Sequence, residues 1–106
     1  MGTMNQALTE AVFYILLALQ KPLHGYGIMQ KTSEFSKGRL VLSAGTLYGA
    51  LSNLIDKGWI SPYNQTSDLE SRRKEYIITD EGMMILEAEQ ERLQELVSNG
   101  NKHIIR

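Results

Sequence analysis

The run SAGTLYGALSNLIDKGWI, Ser43 to Ile60, decides the architecture. It reads as one short helix with both ends marked. The Ser43 side chain can accept a free amide of the first turn, and Gly58 can close the helix in a left-handed conformation that most residues avoid. Between them Leu47, Ala50, Leu51, Leu54 and Ile55 recur at three- and four-residue spacing, which places them on one face directed at a core. The opposite face carries Gly45, Thr46, Tyr48, Gly49, Ser52, Asn53 and Asp56. This is a small, hydrogen-bonding surface, unlike the Lys/Glu lattice of an ordinary solvated helix. An interior glycine costs a helix about 1 kcal/mol relative to alanine, so Gly45 and Gly49 call for an offsetting reason. The close approach of another surface is one. Packing of Gly49 against a neighbouring helix, with Gly45 in the first turn, is the other.

Before this stretch, Leu8 to Gln20 predicts a helix with Thr9 as N-cap and a stripe of Val12, Ile15, Leu16 and Leu19. Phe13, Tyr14 and Leu17 widen the stripe beyond what a one-sided helix needs, so burial on more than one side is expected. Lys21, Pro22 and the Gly25-Tyr26-Gly27 run break the pattern. A second helix is expected from about Tyr26 to Phe35, stopping near Ser36-Lys37-Gly38. Arg39 to Leu42 is apolar enough to suggest a small strand.

After Gly58 the periodicity turns toward extended structure, and Pro62 suits an edge strand better than a central one. Asn64 to Ser71 is polar, and Arg72 to Thr79 returns as a second strand, which makes a hairpin. A last helix opens at Thr79 as N-cap with Asp80 and Glu81 complementing the helix dipole, and is expected to run to about Ser98, before Asn99-Gly100. Met83, Leu86, Gln90, Leu93 and Val97 form a narrow seam along it, better suited to a partner helix than to a broad core. Its glutamates are expected to be a solvated face.

The chain has 106 residues with 42% hydrophobic content, enough for one domain. Residues 1–79 divide naturally from the last helix and tail at 80–106, the two forming one structural unit. The MGTM start shows no leader and no stretch reaches transmembrane length, so a soluble, cytoplasmic protein without membrane association is expected. There is no cysteine and there are two histidines, which argues against a metal site, disulfides or a thiol nucleophile. No cofactor is called for, and no nucleophile-base pair or phosphate loop suggests an enzyme. Formal net charge is -1, yet its distribution is uneven: residues through Thr79 carry +2 and those from Asp80 onward carry -3. One end can face a polyanion while the acidic helix serves another purpose. Ordinary surface scatter would also give such a split.

Helix, helix, helix, hairpin is the order of a winged helix-turn-helix, a mainly α fold with a three-helix core and a β-hairpin wing. In that use the third helix enters the major groove. Ser43, Gly45, Thr46, Tyr48, Ser52 and Asn53 can come close to phosphates or base edges, and Arg72, Arg73 and Lys74 bring cations to the wing. A charged edge strand guarded against aggregation would explain the triplet equally simply. Trp59 reads as packed between third helix and wing.

The chain resembles the PadR family of transcriptional regulators, on the HGYGI run at His24 to Ile28, GTLYGAL at Gly45 to Leu51, GWI at Gly58 to Ile60 and RRKEYIITDEG at Arg72 to Gly82. The single short C-terminal helix is similar to that of the smaller branch. The resemblance implies a homodimeric, usually repressing protein on double-stranded DNA, released in some relatives by a small aromatic or drug-like effector. It implies DNA contacts from Thr46, Tyr48 and the basic wing, with Tyr26 packing or reaching the backbone. It also implies pairing through the last helix and the first, where Leu8 and Val12 would join Met83, Leu86, Gln90, Leu93 and Val97. Ser52 and Asn53 stand where many members carry basic residues. Leu93 stands where some drug-sensing members carry tryptophan, so stacking of drugs there is not implied. A winged-helix module that binds protein instead of DNA is the alternative reading.

Overall fold

The computed structural model describes residues 7–63 and 74–105. Four helices and three short strands follow in the order α1 Glu10–Ala18, β1 Leu23–His24, α2 Gly25–Phe35, α3 Ala44–Asp56, β2 Ile60–Tyr63, β3 Glu75–Ile78 and α4 Asp80–His103. The fold is mainly α, a winged helix with a C-terminal helix attached.

The expected caps form. Thr9 accepts the Val12 amide, Ser43 the Thr46 amide and Thr79 the Gly82 amide, each from an extended N-cap residue. Leu8 therefore precedes α1 instead of opening it. At its other end α3 stops where Gly58 adopts φ 80 and its amide meets the Ile55 carbonyl at 2.9 Å. The core joins Ile15, Leu16 and Leu19 of α1 to Ile28, Leu47, Leu51, Leu54, Ile60, Tyr76 and Leu86, so all four helices and both wing strands share one apolar interior. α1 is covered on more than one side, as its wide stripe requires. Tyr14 lies against Phe35 of α2 with ring centroids 5.5 Å apart, while Phe13 and Leu17 pack on the core.

Three expectations are corrected. Arg39 to Leu42 forms no strand. The third strand is Leu23–His24, which pairs antiparallel with β3 through Leu23 and Tyr76, so the sheet order is β1-β3-β2. The polar groups that end α2 decide the matter. Lys37 and Gly38 both take positive φ, Gly38 donates to the Ser33 carbonyl at 2.8 Å, and the Ser36 hydroxyl accepts the Leu40 amide at 2.9 Å. The chain is thus tied back to its own helix, with no ladder to join. Pro62 does lie on an edge strand, as its missing amide demands.

The second correction is the length of α4, which runs through Asn99-Gly100 to His103. A glycine disfavours a helix without ending it, and Lys102 and His103 complement the dipole in the last turn. The third is Glu89. It is a buried residue of α4, not part of a solvated face. Its carboxylate accepts Arg92 Nε at 2.8 Å, Arg92 Nη2 at 2.7 Å and the Leu8 amide at 3.1 Å, which fastens the entry to α1 onto α4. The Arg92 hydrogen bonds hold the Glu89 carboxyl below the usual carboxylate range, against burial, with the Leu8 amide and the Arg92 charge adding to the effect.

One junction fixes α4 against the wing. The Trp59 carbonyl accepts the Thr79 amide at 3.0 Å, and the Thr79 hydroxyl donates to the Gly58 carbonyl at 2.7 Å while accepting the Gly82 amide at 3.0 Å. A Cβ on Gly82 would run into the Trp59 carbonyl oxygen and lie 2.7 Å from Ile78 Cγ1. Only glycine allows so close a crossing.

Gly82→Ala is expected to destabilise the fold by about 1–3 kcal/mol, the usual cost of overpacking, although alanine is the better helix former. Chemical denaturation of the two proteins measures this. For Glu89, whose folded carboxyl titrates lower than its unfolded value, the stabilisation is fully present above the unfolded value of about 4.5 and is lost as pH falls below it. Glu89→Gln should therefore lower the melting temperature at pH 7 and flatten its dependence on pH below 4.5. Parallel acid dependence in both proteins would contradict the assignment.

Candidate nucleic-acid interface

The outward face of α3 presents Gly45, Thr46, Tyr48, Gly49, Ser52 and Asn53 to solvent, while Leu47, Leu51 and Leu54 are buried beneath. The register read from the sequence is the one observed. Its first turn contains no acidic residue, so the positive end of the helix dipole is not neutralised and is suited to approach by phosphate. There the Ser43 hydroxyl accepts the Thr46 amide at 3.2 Å and donates to Thr46 Oγ1 at 3.0 Å. With its oxygen engaged this way, the Thr46 hydroxyl has its own proton to give outward.

Gly45 and Gly49 face open space: among the described residues, and apart from their own helix backbone and chain neighbours, no atom lies within 4 Å of where a Cβ would stand. Among the described residues no neighbouring helix packs against Gly49. Tyr48 is 49% exposed, and its hydroxyl end lies over the first residue of α2, Gly25. Tyr26, the next residue of α2, is also exposed. Under this cluster lies the buried Tyr76 of β3, whose phenol is pushed above its usual value by burial and, secondarily, by Tyr48. The tyrosine of α3, the start of α2 and the central wing strand therefore meet at one place.

Lys74 is exposed at the foot of β3. Arg72 and Arg73, and the polar loop at 64–71, lie outside the described residues. One exposed residue next to α3 in the chain was not among the candidate site residues: Val41, 77% exposed, lies two residues before Ser43. Its assignment to a strand concealed it. An apolar side chain at this position has the chemistry to meet a thymine methyl group.

Behind the face lies a cavity of about 340 Å³ between α1, the last turns of α3 and α4. Leu8, Val12, Leu54, Trp59 and Ile85 line it, with Asn53, Lys57 and Glu89 as polar groups. Trp59 packs on the core as expected, and its ring also carries Lys57 Nζ 4.9 Å from its centroid. Neither residue spacing nor periodicity reveals this cavity, because its walls come from three segments far apart in the chain.

The expected seam divides. Leu86 is buried in the core and Met83 packs against it, whereas Gln90, Leu93 and Val97 are exposed. Leu96 and Ile104, outside the expected seam, are exposed as well. Leu8 and Val12 are half-buried on the α1 side. Among the described residues no helix is long and apolar enough to cross a membrane.

Known structures share this arrangement. A PadR family transcription regulator from Clostridium difficile is similar with a TM-score of 0.70 and 24% identity, over 91% of this chain and 98% of its own. A transcriptional regulator from Clostridium thermocellum gives a TM-score of 0.69 at 24% identity, over 90% and 92%. Bordetella bronchiseptica BpsR, whose DNA binding is regulated by 6-hydroxynicotinic acid, gives 0.63 at 19% identity, over 93% of this chain and 68% of its own. No curated protein matches the chain. The transcriptional regulator PadR-like family matches residues 14–88, from α1 through the first turns of α4. With its winged-helix fold and the match spanning most of its length, the chain belongs to the PadR-like family of transcriptional regulators, proteins that act on DNA and not as enzymes.

Proposed function

We propose that the protein is a repressor that binds a palindromic operator as a homodimer, with α3 as recognition helix and residues 64–74 as the wing. The observation that carries this is the outward face of α3. Its glycines have no neighbour at the Cβ position among the described residues, and Thr46, Tyr48, Ser52 and Asn53 surround them with donors. A duplex is a surface that rewards such closeness, because backbone and short hydroxyls can then reach phosphates and base edges. Tyr26, Ser43, Arg72, Arg73 and Lys74 would supply further backbone contacts.

Two copies are needed because a lone recognition helix makes few base contacts, and two copies about 34 Å apart read successive major grooves. Support for the dimer comes from α4. Beyond Glu89 nearly every residue is exposed, including Leu93, Leu96 at 52% and Val97 at 63%. An isologous pairing would bury them, together with the α1 side at Leu8 and Val12. Gln90 within such a seam would help to set register at some cost in stability. For release, the cavity beside Trp59 suits a small aromatic acid: its walls are largely apolar, Lys57 offers a cation, the Glu89 carboxylate is engaged by Arg92 and the Leu8 amide, and Asn53 and Leu54 belong to the recognition helix, with Lys57 at its end. A ligand seated there would press on α3 from behind.

Retardation of the duplex immediately upstream of the protein's own gene, against unrelated competitor DNA, tests the central claim. Affinity should fall steeply with salt, and Arg72→Ala with Arg73→Ala should reduce the logarithmic salt slope by roughly one to two units. Absence of retardation at low salt would leave the protein-binding alternative. The same assay with 6-hydroxynicotinic acid present should show weaker retardation if aromatic acids occupy the cavity.

Gly49→Ala separates function from folding, since it should stabilise the protein by about 0.5–1 kcal/mol while weakening operator binding several-fold. A variant that is more stable and binds equally well would show that nothing approaches α3 at this point. The dimer is tested by Leu93→Glu combined with Val97→Glu, both exposed in the protomer. Monomers in sedimentation at micromolar concentration, with helicity retained and specific DNA binding lost, are expected.

A further inference from the structure

Gly25 is the first residue of α2 and is buried, yet its backbone does not require glycine. The glycines with positive φ among the described residues are Gly38 and Gly58. Alanine would be the better helix former. What the position lacks is space: a Cβ there would strike the Tyr48 hydroxyl and lie 2.9 Å from Tyr48 Cζ and 3.5 Å from Cε1. These are the three nearest atoms among the described residues, and they are the far end of a side chain that is itself 49% exposed. We propose that Gly25 is a positioning residue for DNA binding, its missing side chain forming the seat that holds the Tyr48 ring in one pose across the junction of α2 and α3.

This rests on the reading of α3 as recognition helix. An exposed tyrosine on a helix otherwise exchanges between rotamers, and fixing it on binding costs conformational entropy. The seat removes part of that cost beforehand. It also sets where the phenol oxygen stands, and a hydrogen bond to a phosphate tolerates only a few tenths of an ångström. The seat couples two parts of the sequence that spacing alone leaves unrelated, the glycine before Tyr26 and the tyrosine of the GTLYGAL run.

The test is a double-mutant cycle on the full-length protein with the duplex upstream of its gene. Gly25→Ala should weaken binding about tenfold with the melting temperature unchanged or raised, since the displaced ring can swing into solvent. In the Tyr48→Ala background the same change should cost nothing further. In proton NMR of the DNA-free protein, a nuclear Overhauser effect between the Tyr48 ring and the Gly25 α-protons should be present, and the corresponding contact should be lost in Gly25→Ala. Parent-like affinity of Gly25→Ala, losses that multiply across the cycle, or absence of the Overhauser effect would overturn the proposal. If Gly25→Ala melts lower, adding Tyr48→Ala should restore it. Failure to restore it would mean that residue 25 serves the backbone, which also overturns the proposal. A parent that shows the Overhauser effect but retards no DNA would instead sink the DNA-binding reading, and the positioning role with it.

Discussion

The Trp59 carbonyl is the point through which the wing, α3 and α4 are held in one arrangement. It accepts the Thr79 amide and lies against Gly82, while the neighbouring Gly58 carbonyl takes the Thr79 hydroxyl. Backbone amides and carbonyls are strong hydrogen-bonding groups, and here their pairing ties the end of α3 to the start of α4 across the hairpin. β3 is fastened from its other side by the Ile78 amide, which donates to the Leu19 carbonyl at the end of α1 at 2.8 Å. A shift of α4 therefore cannot leave α3 and the wing unmoved.

That rigidity has a use at the surface. α3 gives three leucines to the core and keeps two glycines against which no other described element packs. The helix is less stable than its alanine counterpart would be, a common cost of a functional surface. Ser43 both caps the helix and orients Thr46, so one hydroxyl serves folding and the presentation of a donor.

α4 joins two environments in one helix. Its first half is anchored by Leu86 in the core and by Glu89, which holds both Arg92 and the Leu8 amide. Its second half leaves the body with apolar residues uncovered. The helix is stabilised where it touches its own chain and left open beyond that point.

Much of this was legible from local pattern. Thr9, Ser43 and Thr79 marked helix starts because capping is a contact between residues three apart, and Leu47, Leu51 and Leu54 marked the inner face of α3 because helical periodicity is local as well. Those signals, with the order of elements, determined the winged-helix architecture and the face of α3 that meets solvent. What involves residues far apart in the chain was decided only by tertiary structure. Leu23–His24 became the third strand because β3 lay within reach of its backbone, whereas Arg39 to Leu42 was held by the Ser36 hydroxyl. Leu86 and Glu89 share a helix with solvent-exposed neighbours of similar type, and only the packing of α1 and the Leu8 amide against them made one a core residue and the other a buried carboxylate. The same holds for Gly25 beneath Tyr48 and Gly82 beneath the Trp59 carbonyl. Sequence shows that a glycine is present, but whether its missing side chain is space that a neighbour fills depends on which atoms the fold brings there.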